Sequence, residues 1–369
     1  MNNLFSIFSF PVRRLFNACR GFIANQLCGR FVGMEGLLCL ALFLNSCGGG
    51  APKDQSSNNF LAPDIGIQTG GVKLVSVKTA KGNFNVWTKH IGNNPKMKVL
   101  ILSGGPGASH EYMEAFESFL PASGIEIIYY DQLGTGHSDM PKDTSLYDLS
   151  RSVDEVEQVR QTFHLDKDNF ILLGHSWGGI VALEYALKYQ QHLKSLIISD
   201  MMCSASAYNA YSRDVLAKQL DPKVLAELRE IEAKNDYSNP RYMELLMPNF
   251  YNKFICRLPV WPEPLTRSLK SLNEAFYTIM QGPSEFGLIG KLSNWERGKD
   301  LGKITVPTLT IGAKYDTMDP KHMKWMSEQV KNGTFLFCPN GSHMCFYDDQ
   351  QAYFKGLTNY ILSLDNNKQ

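Results

Sequence analysis

From residue 72 onward the apolar and polar positions follow two different periods. Residues 72–80 and 84–90 alternate, one side chain to each face, with Lys81-Gly82-Asn83 between them. That is the pattern of a β-hairpin. Short apolar runs then recur at 98–102, 125–130, 170–173, 196–199, 308–311 and 334–337. Runs of this length suit strands buried on both faces. Stretches of helical spacing lie between them. Residues 149–163 set Val153, Val156, Val159 and Phe163 on one face, and 111–120, 178–189, 321–330 and 350–364 also read as helices. Strands alternating with helices predict βαβ units and a mostly parallel sheet, an α/β fold.

The rhythm breaks once. Residues 204–299 hold no clear strand, are helical in parts (221–233 and 265–280), and are rich in aromatics such as Tyr242, Phe250, Phe254, Tyr277 and Phe286. The expectation is one catalytic core, residues 72–203 with 300–369, interrupted by a helical cap over 204–299. Most of the cap aromatics are expected in its own core, the rest lining an apolar pocket.

Ahead of residue 72 the chemistry is different. Residues 1–46 carry Arg13, Arg14, Arg20 and Arg30 against one acid, Glu35. The apolar run 36–44 is too short to cross a bilayer but suits the central region of a signal peptide. It ends in Leu44-Asn45-Ser46-Cys47, which resembles a bacterial lipobox: Cys47 would be lipidated and become the new N-terminus. A start at Met34 would leave almost no basic residue before the apolar run, and a buried N-terminal helix is the competing reading. Residues 47–71, in which the tract 48–59 is rich in Gly, Ser and Asn, are expected to be a flexible tether. The expected location is the bacterial cell envelope, with membrane contact only through the lipid.

Composition narrows the classes. Hydrophobic residues at 44% and charged residues at 20% exclude a wholly disordered chain. Lys and Arg number 37 against 36 Asp and Glu, so no charge excess points to nucleic acid as a partner. Eight cysteines in 369 residues are too sparse for a disulfide scaffold. Cys203, Cys256, Cys338 and Cys345 follow the lipobox, either paired or as free buried thiols.

The chemistry gathers around Gly174-His175-Ser176-Trp177-Gly178-Gly179. It fits G-x-S-x-G between a strand and a helix, where a tight turn exposes a nucleophilic serine. Ser176 then needs a base and an orienting acid, which in such sites follow in that chain order. His343 lies in a loop just after the last strand. Asp316 follows the strand before it, with Asp319 as the alternative and a helix N-cap as that residue's other reading. The oxyanion would be held by the Trp177 amide and by an amide of the Gly104-Gly105 turn. No phosphate loop is present, and His110-Glu111 lacks the second histidine of a zinc-protease motif, so no cofactor or metal is expected.

Five segments together, Ser103-Gly104-Gly105-Pro106-Gly107, Tyr130-Asp131-Gln132-Leu133-Gly134, the serine motif, Gly282-Pro283-Ser284-Glu285-Phe286 and Gly341-Ser342-His343, resemble the proline iminopeptidase family of α/β-hydrolases. The likeness runs through nearly all of residues 72–365. It implies a metal-free serine aminopeptidase that removes N-terminal residues, typically proline, from short peptides. By the resemblance, Ser176, Asp316 and His343 form the triad, Gly105 and Trp177 the oxyanion hole, and Glu285 holds the substrate's free amino group. Two positions depart from the family. Ser103 stands where a histidine is usual, and Thr317 stands where relatives of the tricorn-interacting aminopeptidase place a second glutamate. A carboxylesterase or amino-acid amidase on the same scaffold is the nearest alternative, and a non-catalytic peptide-binding lipoprotein a more distant one.

Overall fold

Eight strands form one sheet in the order β1-β2-β4-β3-β5-β6-β7-β8 in the computed structural model, which describes residues 71–366. The expected leader, Cys47 and all but the last residue of the tether lie outside the described residues. The strands are β1 (Val72–Thr79), β2 (Gly82–Ile91), β3 (Lys98–Leu102), β4 (Glu126–Tyr130), β5 (Phe170–His175), β6 (Ser195–Ser199), β7 (Thr308–Ala313) and β8 (Gly333–Cys338). The hairpin β1–β2 and the β2–β4 pair are antiparallel. Every other neighbouring pair is parallel. Of the continuous apolar runs, β4, β5, β6 and β7 are buried along their whole length. The outer strand β8 is only partly covered.

One core layer packs helices α1 (Leu149–Thr162) and α2 (Trp177–Tyr189) on the sheet, with Val153, Val156, Val159 and Ile180 buried. The other layer holds Tyr112, Met113, Phe116, Tyr353 and Phe354. Residues His110–Ser118 form a 3-10 stretch, not the expected α-helix. Tertiary bonds override local preference there: the His110 amide donates to Asp131 at 2.7 Å, and the Met113 carbonyl accepts from the Tyr129 hydroxyl at 3.0 Å.

Between β6 and β7 the chain builds helices: α3 (Ala205–Tyr211), α4 (Pro222–Ala233), α5 (Pro240–Leu246), α6 (Glu263–Lys270) and α7 (Glu274–Met280). The segment leaves and returns at one point. Ser204 and Glu296 form an antiparallel bridge, and the Arg297 amide donates to the Cys203 carbonyl at 2.8 Å. It has a small core of its own, in which Leu228, Tyr242, Leu246, Phe250, Phe254 and Phe286 are buried together.

The helix expected over 265–280 is two helices. Asn273 breaks it, accepting the Phe276 amide at 3.1 Å as the N-cap of α7. The same residue pins the cap to the sheet edge. Its backbone amide donates to the Gly107 carbonyl at 3.0 Å, and its side-chain amide donates to the Gly134 carbonyl at 2.7 Å.

Helices α8 (Pro320–Gln329) and α9 (Gln350–Asn366) complete the described fold. The four described cysteines are buried and unpaired. Among the described residues no helix is long and apolar enough to cross a membrane.

Candidate active site

β3 and β5 are neighbours, while the chain after β3 turns aside to β4, so a crevice opens at the C-terminal ends of these strands. Ser176 stands there between β5 and α2, with φ 54° and ψ −124°. A non-glycine residue seldom adopts that backbone, and the surrounding contacts hold it. Its amide donates to the Ser199 carbonyl at 3.1 Å, and its carbonyl accepts from Gly179 at 2.7 Å. The motif's glycines are demanded by space. A Cβ on Gly174 would lie 2.0 Å from the Gly178 carbonyl oxygen, and one on Gly178 would lie 2.2 Å from that of Leu102. No side chain fits at either place.

The loop after β3 comes up against Ser176. A Cβ on Gly104 would stand 2.9 Å from that of Ser176. Gly105 has φ +103°, and its amide, like that of Trp177 at the start of α2, finds no acceptor among the described residues. These are the two donors expected at the oxyanion hole. Gln132 braces them. Its amide nitrogen donates to the Ser103 carbonyl at 3.0 Å, and its oxygen accepts the Trp177 indole at 2.9 Å.

Asp316 and His343 meet. The imidazole Nδ1 donates to Asp316 Oδ1 at 2.7 Å, and both residues are buried. Burial works against the imidazolium, but Asp316 first, then Glu285 and Asp348, hold the His343 pKa above its ordinary value. Asp319, the alternative acid, caps α8 by accepting the Lys321 amide at 2.9 Å. The Ser176 hydroxyl bonds no described residue, so the hydrogen bond that would link it to His343 is not formed in this structure.

A chain of bonds that the sequence did not reveal joins the loop after β3 to His343. His175 Nε2 lies 2.9 Å from the His343 carbonyl oxygen, which can only accept. Nε2 therefore carries the proton. Burial and the nearby His343 hold His175 well below its usual pKa, so it is neutral and Nδ1 is bare. Nδ1 must accept from the Tyr112 hydroxyl at 2.9 Å, whose oxygen accepts the Gly104 amide at 2.6 Å. No sequence motif announces Tyr112; only the fold brings it to residues 104 and 175.

Glu285 belongs to the cap segment and is half-buried among three phenols. Tyr277 donates to Oε1 at 2.6 Å, Tyr208 donates to the Glu285 carbonyl at 2.6 Å, and Tyr251 accepts the Glu285 amide at 3.1 Å. Burial raises its carboxyl above the usual range, offset in part by His343 and by the phenols. Glu285 and His343 thus lie within reach of each other's charge. Thr317 carries no charge to stand for a second carboxylate; its hydroxyl lies 3.2 Å from Asp316 Oδ1 and 3.4 Å from His343 Nδ1. Of the expected cap aromatics, Phe250, Phe254, Tyr242 and Phe286 are core, while Tyr277 attends Glu285.

One group among the described residues has the composition of a metal site: His110, Asp131 and His137, with ligand atoms within 4.8 Å of one another. Asp131 is already saturated. It accepts the backbone amides of His110 and His137 at 2.7 and 2.9 Å, and their Nδ1 atoms at 2.9 and 3.1 Å. With Trp87 stacked on His110 at 4.4 Å, the cluster reads as a lock on the 131–139 turn.

Comparison with known proteins follows the same lines. Residues 98–350 match the family model of the alpha/beta hydrolase fold. The chain is 55% identical over 295 residues to a proline iminopeptidase of Flavobacterium johnsoniae, covering 80% of this chain and 99% of that protein. It is 54% identical over 295 residues to a proline iminopeptidase of Chitinophaga pinensis, covering 79% and 99%. The crystal structure of a proline iminopeptidase of Mycobacterium smegmatis superimposes with a TM-score of 0.72 at 24% identity, over 81% of this chain and all of that one, a likeness of fold.

Proposed function

The chain belongs to the proline iminopeptidase family of α/β-hydrolases, and from that premise we propose that it is a serine aminopeptidase releasing N-terminal residues, proline foremost, from short peptides. The observation that carries the reading is a carboxylate, Glu285, held by Tyr277 within electrostatic reach of the base His343. An exopeptidase must recognise a chain end, and an anion beside the base receives the terminal ammonium through a charge-assisted bond.

In this mechanism His343 Nε2 takes the Ser176 proton as Oγ attacks the first carbonyl carbon. Asp316 keeps Nδ1 protonated and stabilises the imidazolium. The Gly105 and Trp177 amides stabilise the oxyanion. The tetrahedral adduct expels the shortened peptide as an amine, which receives the proton from His343. Water, deprotonated by His343, then hydrolyses the acyl-serine. Support comes from the 2.7 Å Asp316–His343 bond, the two amides without acceptors among the described residues, and the close approach of Gly104 to Ser176.

Glu285→Gln keeps the size of the side chain and removes its charge. Its expected effect is a rise of about 10- to 100-fold in KM for free-amine prolyl arylamides, with N-acetylated substrates unchanged. Equal changes on both would reject the amine anchor. The same variant carries a pH signature. The base must be neutral, and its pKa is raised, so the acid limb of kcat/KM has its midpoint above about 6.5. Glu285 is one of the groups that raise it, so the limb moves to lower pH in Glu285→Gln. A short acyl ester, with no amine of its own to titrate, reads this shift. A panel of arylamides with different first residues, free and N-blocked, set against that ester, separates aminopeptidase from esterase.

The reading includes an envelope location with Cys47 as lipid attachment site, supported by Leu44-Asn45-Ser46-Cys47 after the apolar run. In a bacterial host the expected result is incorporation of labelled palmitate into the wild-type chain and none into Cys47→Ala, measured on the isolated protein. Labelling of the variant would exclude the anchor.

A further inference from the structure

Asp316 leaves one oxygen unexplained. Oδ1 accepts from His343 and Thr317, but Oδ2 is buried and has no donor among the described residues. A buried carboxylate oxygen without a donor is costly, and at the residue meant to steady an imidazolium it calls for a partner. The group that reaches toward Asp316 is a second buried carboxyl, Asp200, which follows β6 beside the strand leading to Asp316, and each of the two acids feels the other's charge.

Asp200 is held firmly in that place. It directly follows β6 with φ 52°, and its amide donates to the Ile311 carbonyl at 2.9 Å, on the strand that leads to Asp316. Its Oδ2 accepts from the Ser199 hydroxyl at 2.7 Å and the Cys345 thiol at 3.2 Å; its Oδ1 has only a thiol contact at 3.5 Å. The titratable groups facing it are Asp316, His175, Tyr112, Cys338, Cys345 and Tyr353. His175 lies 3.9 Å away but is neutral, and none of the others is a cation. Two carboxylates cannot sit side by side in such surroundings without a shared proton. Asp316 has the better claim to the charge, because an imidazole and a threonine donate to it. Burial and the neighbouring Asp316 both push the Asp200 carboxyl far above the carboxylate range.

We propose that Asp200 is a neutral carboxylic acid whose Oδ1 proton is donated to Asp316 Oδ2, making it a positioning residue that holds the triad acid ionised and correctly turned toward His343. This rests on the triad described under the proposed function. The proton is not transferred during turnover; it fixes which of the two acids carries the charge.

The test compares wild type, Asp200→Asn and Asp200→Ala. An asparagine amide can make the same donation without ionising. Asp200→Asn is therefore expected to keep kcat within about threefold and leave the acid limb of kcat/KM in place. Asp200→Ala is expected to lower kcat by about 10- to 100-fold with KM unchanged. An ionised Asp200 would instead help to raise the His343 pKa, and its loss in Asp200→Asn would move the acid limb to lower pH; that shift, or an Asn variant as impaired as Ala, overturns the proposal. Infrared difference spectra of wild type minus Asp200→Asn at pH 7 give a reading independent of activity, and serve if Asp200→Ala does not fold. The carbonyl stretch of an un-ionised acid supports the proposal, and a carboxylate band in its place refutes it. If that acid band is found in a protein that does not cleave prolyl arylamides, the acid pair stands and the enzymatic reading falls.

Discussion

Ser176→Ala will lower kcat by about 10^3- to 10^6-fold and leave the thermal transition where it is. In the proposed mechanism the loss is large because the hydroxyl is the atom that becomes acylated, and no neighbouring group replaces it. The fold should not notice. The Ser176 hydroxyl bonds no described residue, and the elbow is held by backbone bonds to Ser199 and Gly179, which alanine keeps. What activity remains reports the Gly105 and Trp177 amides acting alone on the oxyanion. The measurement is kcat on a proline arylamide with calorimetric unfolding of the same preparation. A rate within tenfold of wild type removes Ser176 from the chemistry.

Asp316→Ala is expected to cost about ten-thousand-fold in kcat with little change in KM. Asp316 fixes the Nδ1 tautomer and is the chief group that holds the His343 pKa up. Without it burial acts unopposed by its main counterweight. The acid limb of the residual activity should therefore move to lower pH, even as the rate collapses. That pairing separates an orienting acid from a merely structural one, whose removal would lower the amount of active enzyme without moving the limb. An unmoved limb would assign His343 another partner.

The candidate site was more legible in the chain than its supports. The serine motif is local: its glycines are there because Gly174 and Gly178 approach backbone oxygens, and a strand–turn–helix context can be read from neighbouring residues. Asp316 and His343 follow from the order in which such residues trail the strands. The supports come from residues far apart in sequence. Tyr112 meets His175 across 63 positions, and Gln132 meets Trp177 across 45. Asp200 reads as an ordinary residue at a strand end, and only the packing of β6 beside β7 brings it to Asp316. The split helix at Asn273 escaped for a similar reason. The apolar spacing of 265–280 is compatible with one helix, and the break is fixed by bonds to Gly107 and Gly134, on loops distant in the chain.

The loop that carries His343 is also sewn to the cap. The His343 amide donates to the Phe254 carbonyl at 2.9 Å, the Met344 amide to that of Ile255 at 2.8 Å, and the Ser342 hydroxyl to Ile255 at 2.9 Å. A chimaera that grafts a foreign lid onto this sheet would sever those stitches and set the imidazole adrift. Recombination among relatives has to exchange residues 254–257 and 341–348 as one cassette, so specificity cannot be swapped without carrying the engine's mount along with it.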